Sequence, residues 1–113
     1  IIDNEMSCCL SFPEVLKLYK MLNLFLKNGG KIFLRTFSKN SYGDRTGKKI
    51  GYNLFIPSKG IANMGSQRFS TSKDINKIFK ENYKIIYKEI VSRSLHNRKN
   101  KFSEWIVVAV KNV

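Results

Sequence analysis

Arg35 interrupts the apolar run Lys31-Ile32-Phe33-Leu34-Arg35-Thr36-Phe37. A guanidinium inside a strand needs a paired acid or an anionic ligand. Two readings stay open: a contact to a bound substrate, or a structural ion pair with Glu104 or Asp44. Arg68 and Arg93 carry the same ambiguity. Tyr42 and Tyr52 can wall an acceptor pocket, or simply pack a loop against a sheet. Asp3-Asn4 closes a short apolar start, and α/β folds place ligand contacts at the carboxyl ends of strands. The structural alternative is a pair of side chains capping a turn. Glu5 follows as a candidate base or cation contact.

Other motifs carry less. Gly43-Asp44-Arg45-Thr46-Gly47-Lys48-Lys49 invites comparison with a phosphate-binding loop. It fails, because it is one residue short, lacks Ser or Thr after the Lys, and opens no helix. His96 lies among Asn and Lys in a polar turn. Cys8 and Cys9 are adjacent, which suits a disulfide staple poorly, so they read as two reduced thiols near a packed strand end. With a single histidine, a closed tetrahedral zinc site is not credible, and no metal is expected.

The elements that must position these residues follow from spacing. Ser11-Phe12-Pro13-Glu14 matches a capping box with Pro in the first turn. Val15, Leu18, Tyr19, Leu22, Phe25 and Leu26 then form one apolar stripe, with Lys27 expected in the last turn. Gly29-Gly30 end the helix and lead into a strand over 31–37. Periodicity disappears over 38–67, the expected long loop or lid, with a short strand at Asn53–Pro57. A second helix starts at Ser70 or Thr71 and buries Ile75, Ile78 and Phe79. Tyr83–Ser94 alternates as a strand, with Tyr83, Ile85 and Tyr87 on one face. Glu104–Lys111 is apolar on both faces, hence central, and pairs with the preceding strand as an antiparallel hairpin.

The chain holds 113 residues with a net charge of +13, and 21 of its residues are Lys or Arg. Such a charge attracts polyanions, so nucleic acid is admitted as a partner. The basic residues are spread along the chain, as on a solvated Lys-rich surface. No apolar run approaches the ~20 residues that cross a bilayer, no secretory signal is visible, and a cytoplasmic protein without membrane association is expected. The helix-to-strand unit at 11–37 is half of an α/β crossover, which implies a parallel sheet. Because the chain opens on Ile1-Ile2-Asp3-Asn4, apparently a strand end, residues 1–113 are expected to be a single partial domain. The upstream half of the same domain is then its first partner.

The order of these pieces resembles the class I S-adenosylmethionine-dependent methyltransferases. Ile1-Ile2-Asp3-Asn4-Glu5 is similar to the end of the family's fourth strand. Leu24-Phe25-Leu26-Lys27-Asn28-Gly29-Gly30-Lys31-Ile32 resembles the phrase leading to the fifth, with Asn28 in place of the usual Pro. Arg68-Phe69-Ser70 resembles the turn into the last helix, and Trp105-Ile106-Val107-Val108-Ala109-Val110-Lys111 the closing strand. The resemblance implies the C-terminal part of a Rossmann-like methyltransferase sheet, with parallel strands ending in an antiparallel β-hairpin and helices packed on the faces. It implies S-adenosyl-L-methionine as cofactor, with Asp3, Asn4, Glu5 and Met6 near its methionine end. Arg35, Tyr42 and Arg68 would then contact the acceptor, a small molecule. The family's glycine-rich turn and second-strand acid have no counterpart here, so the piece alone is expected to be inactive. The alternative is a basic nucleic-acid-binding module, or part of an RNA methyltransferase, without independent catalysis.

Overall fold

Two capping boxes set the helices. In the computed structural model, which describes residues 1–61 and 64–112, Ser11 Oγ accepts from Glu14 N and the Glu14 carboxylate accepts from Ser11 N. Helix α1 then runs Phe12–Phe25. Thr71 and Asp74 repeat the arrangement ahead of α2, Ser72–Ile78. Each such cap is worth about 1 kcal/mol. Helix α1 stops at Phe25 with Leu26 extended, so Lys27 lies beyond the last turn rather than in it. Gly29 adopts φ +76°, and a Cβ on Gly30 would stand 2.8 Å from the Lys27 carbonyl oxygen. Only glycine allows so tight a reversal into the next strand.

The main sheet holds β1 (Ile2–Asn4), β2 (Lys31–Phe37), β6 (Tyr83–Ser94) and β7 (Lys101–Lys111) in the order β1-β2-β7-β6. Only β1 and β2 are parallel, with Ile2 opposite Phe33 and Asn4 opposite Arg35. Strand β7 runs antiparallel to both β2 and β6. The expected parallel sheet is therefore one parallel pair inside a mixed sheet. The cause is the hairpin: a tight turn after β6 reverses the chain, and β7 inserts centrally beside β2. Strand β7 also begins at Lys101 rather than Glu104. Its first residues, Lys101, Phe102 and Ser103, pair across the hairpin, where Ser92 and Ser103 hydroxyls meet at 2.8 Å.

Both helices pack on one face of this sheet. Val15, Tyr19, Ile75, Ile78 and Phe79 close over Ile32, Leu34, Val107 and Ala109. Tyr19, Phe79 and Tyr83 meet edge-on, at 5.2 Å for Tyr19–Phe79 and 5.4 Å for Phe79–Tyr83, each pair adding about 0.5–1.5 kcal/mol beyond its burial. The expectation of helices packed on the faces of the sheet is corrected: among the described residues both helices lie on one face. The alternate residues Phe33, Arg35, Ile106 and Val108 point to the other face and stay half-buried. A bulge between Ile85 and Tyr87 breaks the simple alternation of β6. It moves Tyr87 to the open face and brings Lys88 onto α2, where its Nζ donates to Ser72 Oγ (2.7 Å) and Asn76 Oδ1 (2.9 Å).

The segment expected as a long loop carries three short strands, β3 (Lys48–Gly51), β4 (Leu54–Ile56) and β5 (Gln67–Arg68), in one antiparallel sheet. Within that 38–67 span, Ala62 and Asn63 lie outside the described residues. The strand expected at 53–57 is β4. Its hairpin with β3 turns at Tyr52-Asn53, where Asn53 takes φ +49°. A second apolar cluster of Cys8, Phe37, Phe55 and Phe69 anchors this small sheet to the main one.

Candidate functional site

The parallel pair points its carboxyl ends at one corner of the molecule, and residues 3–6 turn there. Asp3 is buried, and its carboxylate accepts from Ser7 N (3.0 Å), Met6 N (3.2 Å), Ser7 Oγ and Tyr19 Oη (2.7 Å). Those bonds occupy its lone pairs and cap the 3₁₀ turn Ser7–Cys9. Asp3 thus positions the corner. Glu5 takes φ +56°, a conformation that costs a non-glycine residue energy and is held by its surroundings. Its backbone N still donates to Arg35 O at 2.8 Å, extending the ladder one residue. Asn4 and Met6 flank it with exposed side chains, Met6 by 70%.

Behind Glu5 stands a four-residue charge cluster. Arg35 binds Glu104 through two nitrogens, Nε at 2.6 Å and Nη2 at 3.0 Å. Arg93 adds a third bond to the same carboxylate at 3.0 Å. Glu5 lies 3.7 Å from Arg35 Nε and faces Glu104 closely enough to hydrogen-bond it. Of the two partners open to Arg35, Glu104 is the one found. Asp44 instead turns to Asn40 N and Arg45.

Two carboxyl groups this close cannot both ionise easily. Burial pushes Glu5 up, and its hydrogen bond and repulsion with Glu104 add to that, giving about 7. Burial also pushes Glu104 up, but the bonds from Arg35 and Glu5 and the two guanidinium charges outweigh it, leaving about 2. The hydrogen bond to Glu104 holds the Arg35 guanidinium firmly protonated. The pair therefore has one permanent anion and one group that exchanges a proton near neutrality, with about a third of its side chain exposed. Chemically, this is a group able to accept a proton at the carboxyl end of a parallel strand pair, the end where α/β folds place ligands.

Of the remaining candidates, Arg68 and Cys8 support this corner from inside, and Tyr42 and Tyr52 are engaged elsewhere. Arg68 is completely buried and donates Nη1 to the Ser7 and Leu10 carbonyls at 2.9 and 2.5 Å, clamping the 3₁₀ turn from inside. Its Nε and Nη2 have no hydrogen-bond partner, and no carboxylate pairs with it, among the described residues. Tyr42 is half-buried, edge-on to Phe102 at 5.8 Å, on a loop beside the β6–β7 turn. Tyr52 donates to Asp74 at 3.0 Å and packs on Phe12. Cys8 donates to Glu5 O and Gln67 Oε1, and burial pushes its thiol up to about 12, which makes it unreactive. Sequence reasoning placed Glu104 only as a partner for Arg35 and left Arg93 ambiguous. The signal for both was present: one acid heading an apolar strand, and an arginine near the end of the strand before it.

A cavity of about 300 Å³ opens between β1 and α1, lined by Ile2, Met6, Leu10, Leu18 and Leu22 among others. It runs along the free edge of β1, where Ile2 is 74% exposed. No described helix is long and apolar enough to cross a membrane.

No family model matches the chain, and no curated protein matches it. Among solved structures, a SAM-dependent methyltransferase from Methanosarcina mazei superposes with a TM-score of 0.71 at 15% sequence identity. The match covers 99% of this chain and 58% of that one, so the chain spans little more than half of its structural neighbour. At that identity the likeness shows the fold: a mixed α/β, methyltransferase-like architecture.

Proposed function

We propose that this chain forms the C-terminal part of an S-adenosylmethionine-dependent methyltransferase, with residues 4–6 at the reacting end of the cofactor. The observation that carries the reading is the match of 99% of this chain to 58% of such an enzyme, together with the order of sequence pieces that resembles the family's last strands. The exposed side chains of this corner support the placement: Asn4 offers an amide and Met6 a thioether to a bound molecule. S-adenosylmethionine supplies a methyl group on a sulfonium, which a nucleophile takes by displacement.

The chain's own residues do the rest. Asp3, locked by four donors, holds the turn that presents Asn4 and Met6. Glu5 takes the proton that a hydroxyl, thiol or ammonium acceptor loses as it is methylated. Arg35 and Arg93 fix Glu104, whose charge keeps Glu5 basic enough for that task. The free β1 edge and the bare face of the sheet support a second element of the proposal. A further parallel strand and its helices, from the upstream half of the same domain, cover both.

Calorimetric titration with S-adenosylmethionine tests the reading. The chain alone is expected to bind weakly and saturably, with a dissociation constant on the order of millimolar. Met6→Arg, which sets a like charge beside the sulfonium, is expected to weaken binding about tenfold or more. Absence of any saturable binding, or binding indifferent to Met6→Arg, overturns the placement.

A further inference from the structure

The surface charge is not evenly spread once the carboxylates are located. Asp3, Asp74 and Glu104 are buried on internal donors. The stretches 39–60 and 93–101 hold nine Lys and Arg residues against one acid, Asp44. That carboxylate is only 2% exposed and accepts from Asn40 N at 2.7 Å. The outward face of this region is therefore almost purely cationic.

Part of that face is concave. A cavity of about 420 Å³ is lined by Lys59, Lys99 and Lys101 together with Tyr42, Asn40 and Asn100. None of the three lysine ammonium groups has a hydrogen-bond or carboxylate partner among the described residues. Their backbones, by contrast, are locked together. Gly43 has φ +103°, and a Cβ there would stand 2.7 Å from Lys59 O; Gly60 has φ +68°, and a Cβ there would stand 2.6 Å from Tyr42 O. Tyr42 N donates to Lys101 O at 2.8 Å, tying the loop to the hairpin. Three segments thus hold three free ammonium groups around one hollow. Binding then orders only the lysine side chains and not the backbones that carry them.

The lining is polar: besides the three lysines it holds Asn40, Asn100, Ser41, Thr46 and the Asp44 carboxylate, which is already engaged by Asn40 N and Arg45. A flat bilayer surface does not enter a hollow, and the hollow's lining offers no aliphatic side chain to insert into one. A strand of phosphates fits both the charge and the curvature. We propose that this concavity binds the backbone of a single-stranded nucleic acid, with Lys59, Lys99 and Lys101 each against a phosphate and the Tyr42 ring against a base. The proposal does not depend on the methyltransferase reading.

The test is fluorescence anisotropy of the chain with a labelled oligouridylate and a labelled oligothymidylate across a salt series. Each phosphate contact contributes about 0.7 to the slope of log affinity against log salt for single strands. The triple variant Lys59→Gln, Lys99→Gln, Lys101→Gln is expected to shallow that slope by about 2. A control with the same net charge, Lys17→Gln, Lys73→Gln, Lys84→Gln, is expected to leave it nearly unchanged. A preference for either oligonucleotide fits the proposal, since the phosphates are common to both. Equal losses in the two triples would mean diffuse charge attraction and overturn it. So would binding to phosphatidylserine vesicles but to neither oligonucleotide.

Discussion

Arg68→Ala is expected to lower the unfolding free energy by about 2–4 kcal/mol, a large fraction of a small domain's stability. The side chain is fully buried, and it is the donor for two carbonyls of the turn that presents residues 3–6. Truncation strands both acceptors and opens a cavity where the long side chain lay. Arg68→Met restores volume but not the donors, so it should fall between wild type and Ala. Urea unfolding followed by circular dichroism gives the comparison. A loss below about 1 kcal/mol for Arg68→Ala would mean that the turn holds its shape without the clamp.

The second large effect is on pH dependence, and its sign follows from the two carboxyl groups. Glu5 is raised to about 7 in the folded chain from an ordinary value near 4.5, so folding favours its protonated form. The stability it contributes is complete below pH 4.5 and is lost as pH rises through 7. Glu104, held at about 2, acts in the opposite sense: its contribution is present above pH 4.5 and is lost as pH falls toward 2. Wild-type stability should therefore decline between pH 5 and pH 8. After allowing for the partial exposure of Glu5, the decline is about 1–2 kcal/mol. Glu5→Gln removes the titrating group and should flatten that limb while leaving the acid limb in place. Denaturation midpoints at pH 5 and pH 8 for the two proteins decide it; parallel slopes would mean that Glu5 does not carry the proton.

Local chemistry was legible in the sequence wherever neighbouring residues determine the outcome. Ser11 with Glu14 announced the first helix, and Gly29-Gly30 its end. The apolar run at 31–37 and the strand at 83–94 could be read with their boundaries. What stayed hidden depends on pairing across the sheet. Lys48-Lys49-Ile50-Gly51 has one apolar residue and shows no strand pattern, yet it pairs with Leu54–Ile56 because the Tyr52-Asn53 turn brings the two together. The bulge at Ile86 has no local signature, so the face of Lys88 could not be foreseen. Arg35 showed that it needed an acid. The choice between Glu104 and Asp44 was made only by the register that sets Phe37 opposite Glu104. The meeting of Glu5 with Glu104 is likewise a product of strand order, since the two stand near opposite ends of the chain.

Arg68 gives the reverse lesson. Its type suggested a ligand contact, as it did for Arg35, because a cation among apolar residues demands a partner. Here two backbone carbonyls accept from Nη1, while Nε and Nη2 have no partner among the described residues. Nothing in Gln67-Arg68-Phe69 distinguishes a guanidinium that clamps a turn from one that awaits an anion. Exposure separates them: none for Arg68, and about a third of the side chain for Arg35.

Backbone amide shifts of ¹⁵N-labelled chain, titrated with S-adenosylmethionine, test most directly whether the carboxyl end of β1 is the cofactor corner. Concentration-dependent shifts confined to Asn4, Glu5, Met6 and their neighbour Arg35 are expected, with α2 and the β6–β7 turn unmoved. Saturating shifts that map elsewhere, with those four amides silent, would contradict it.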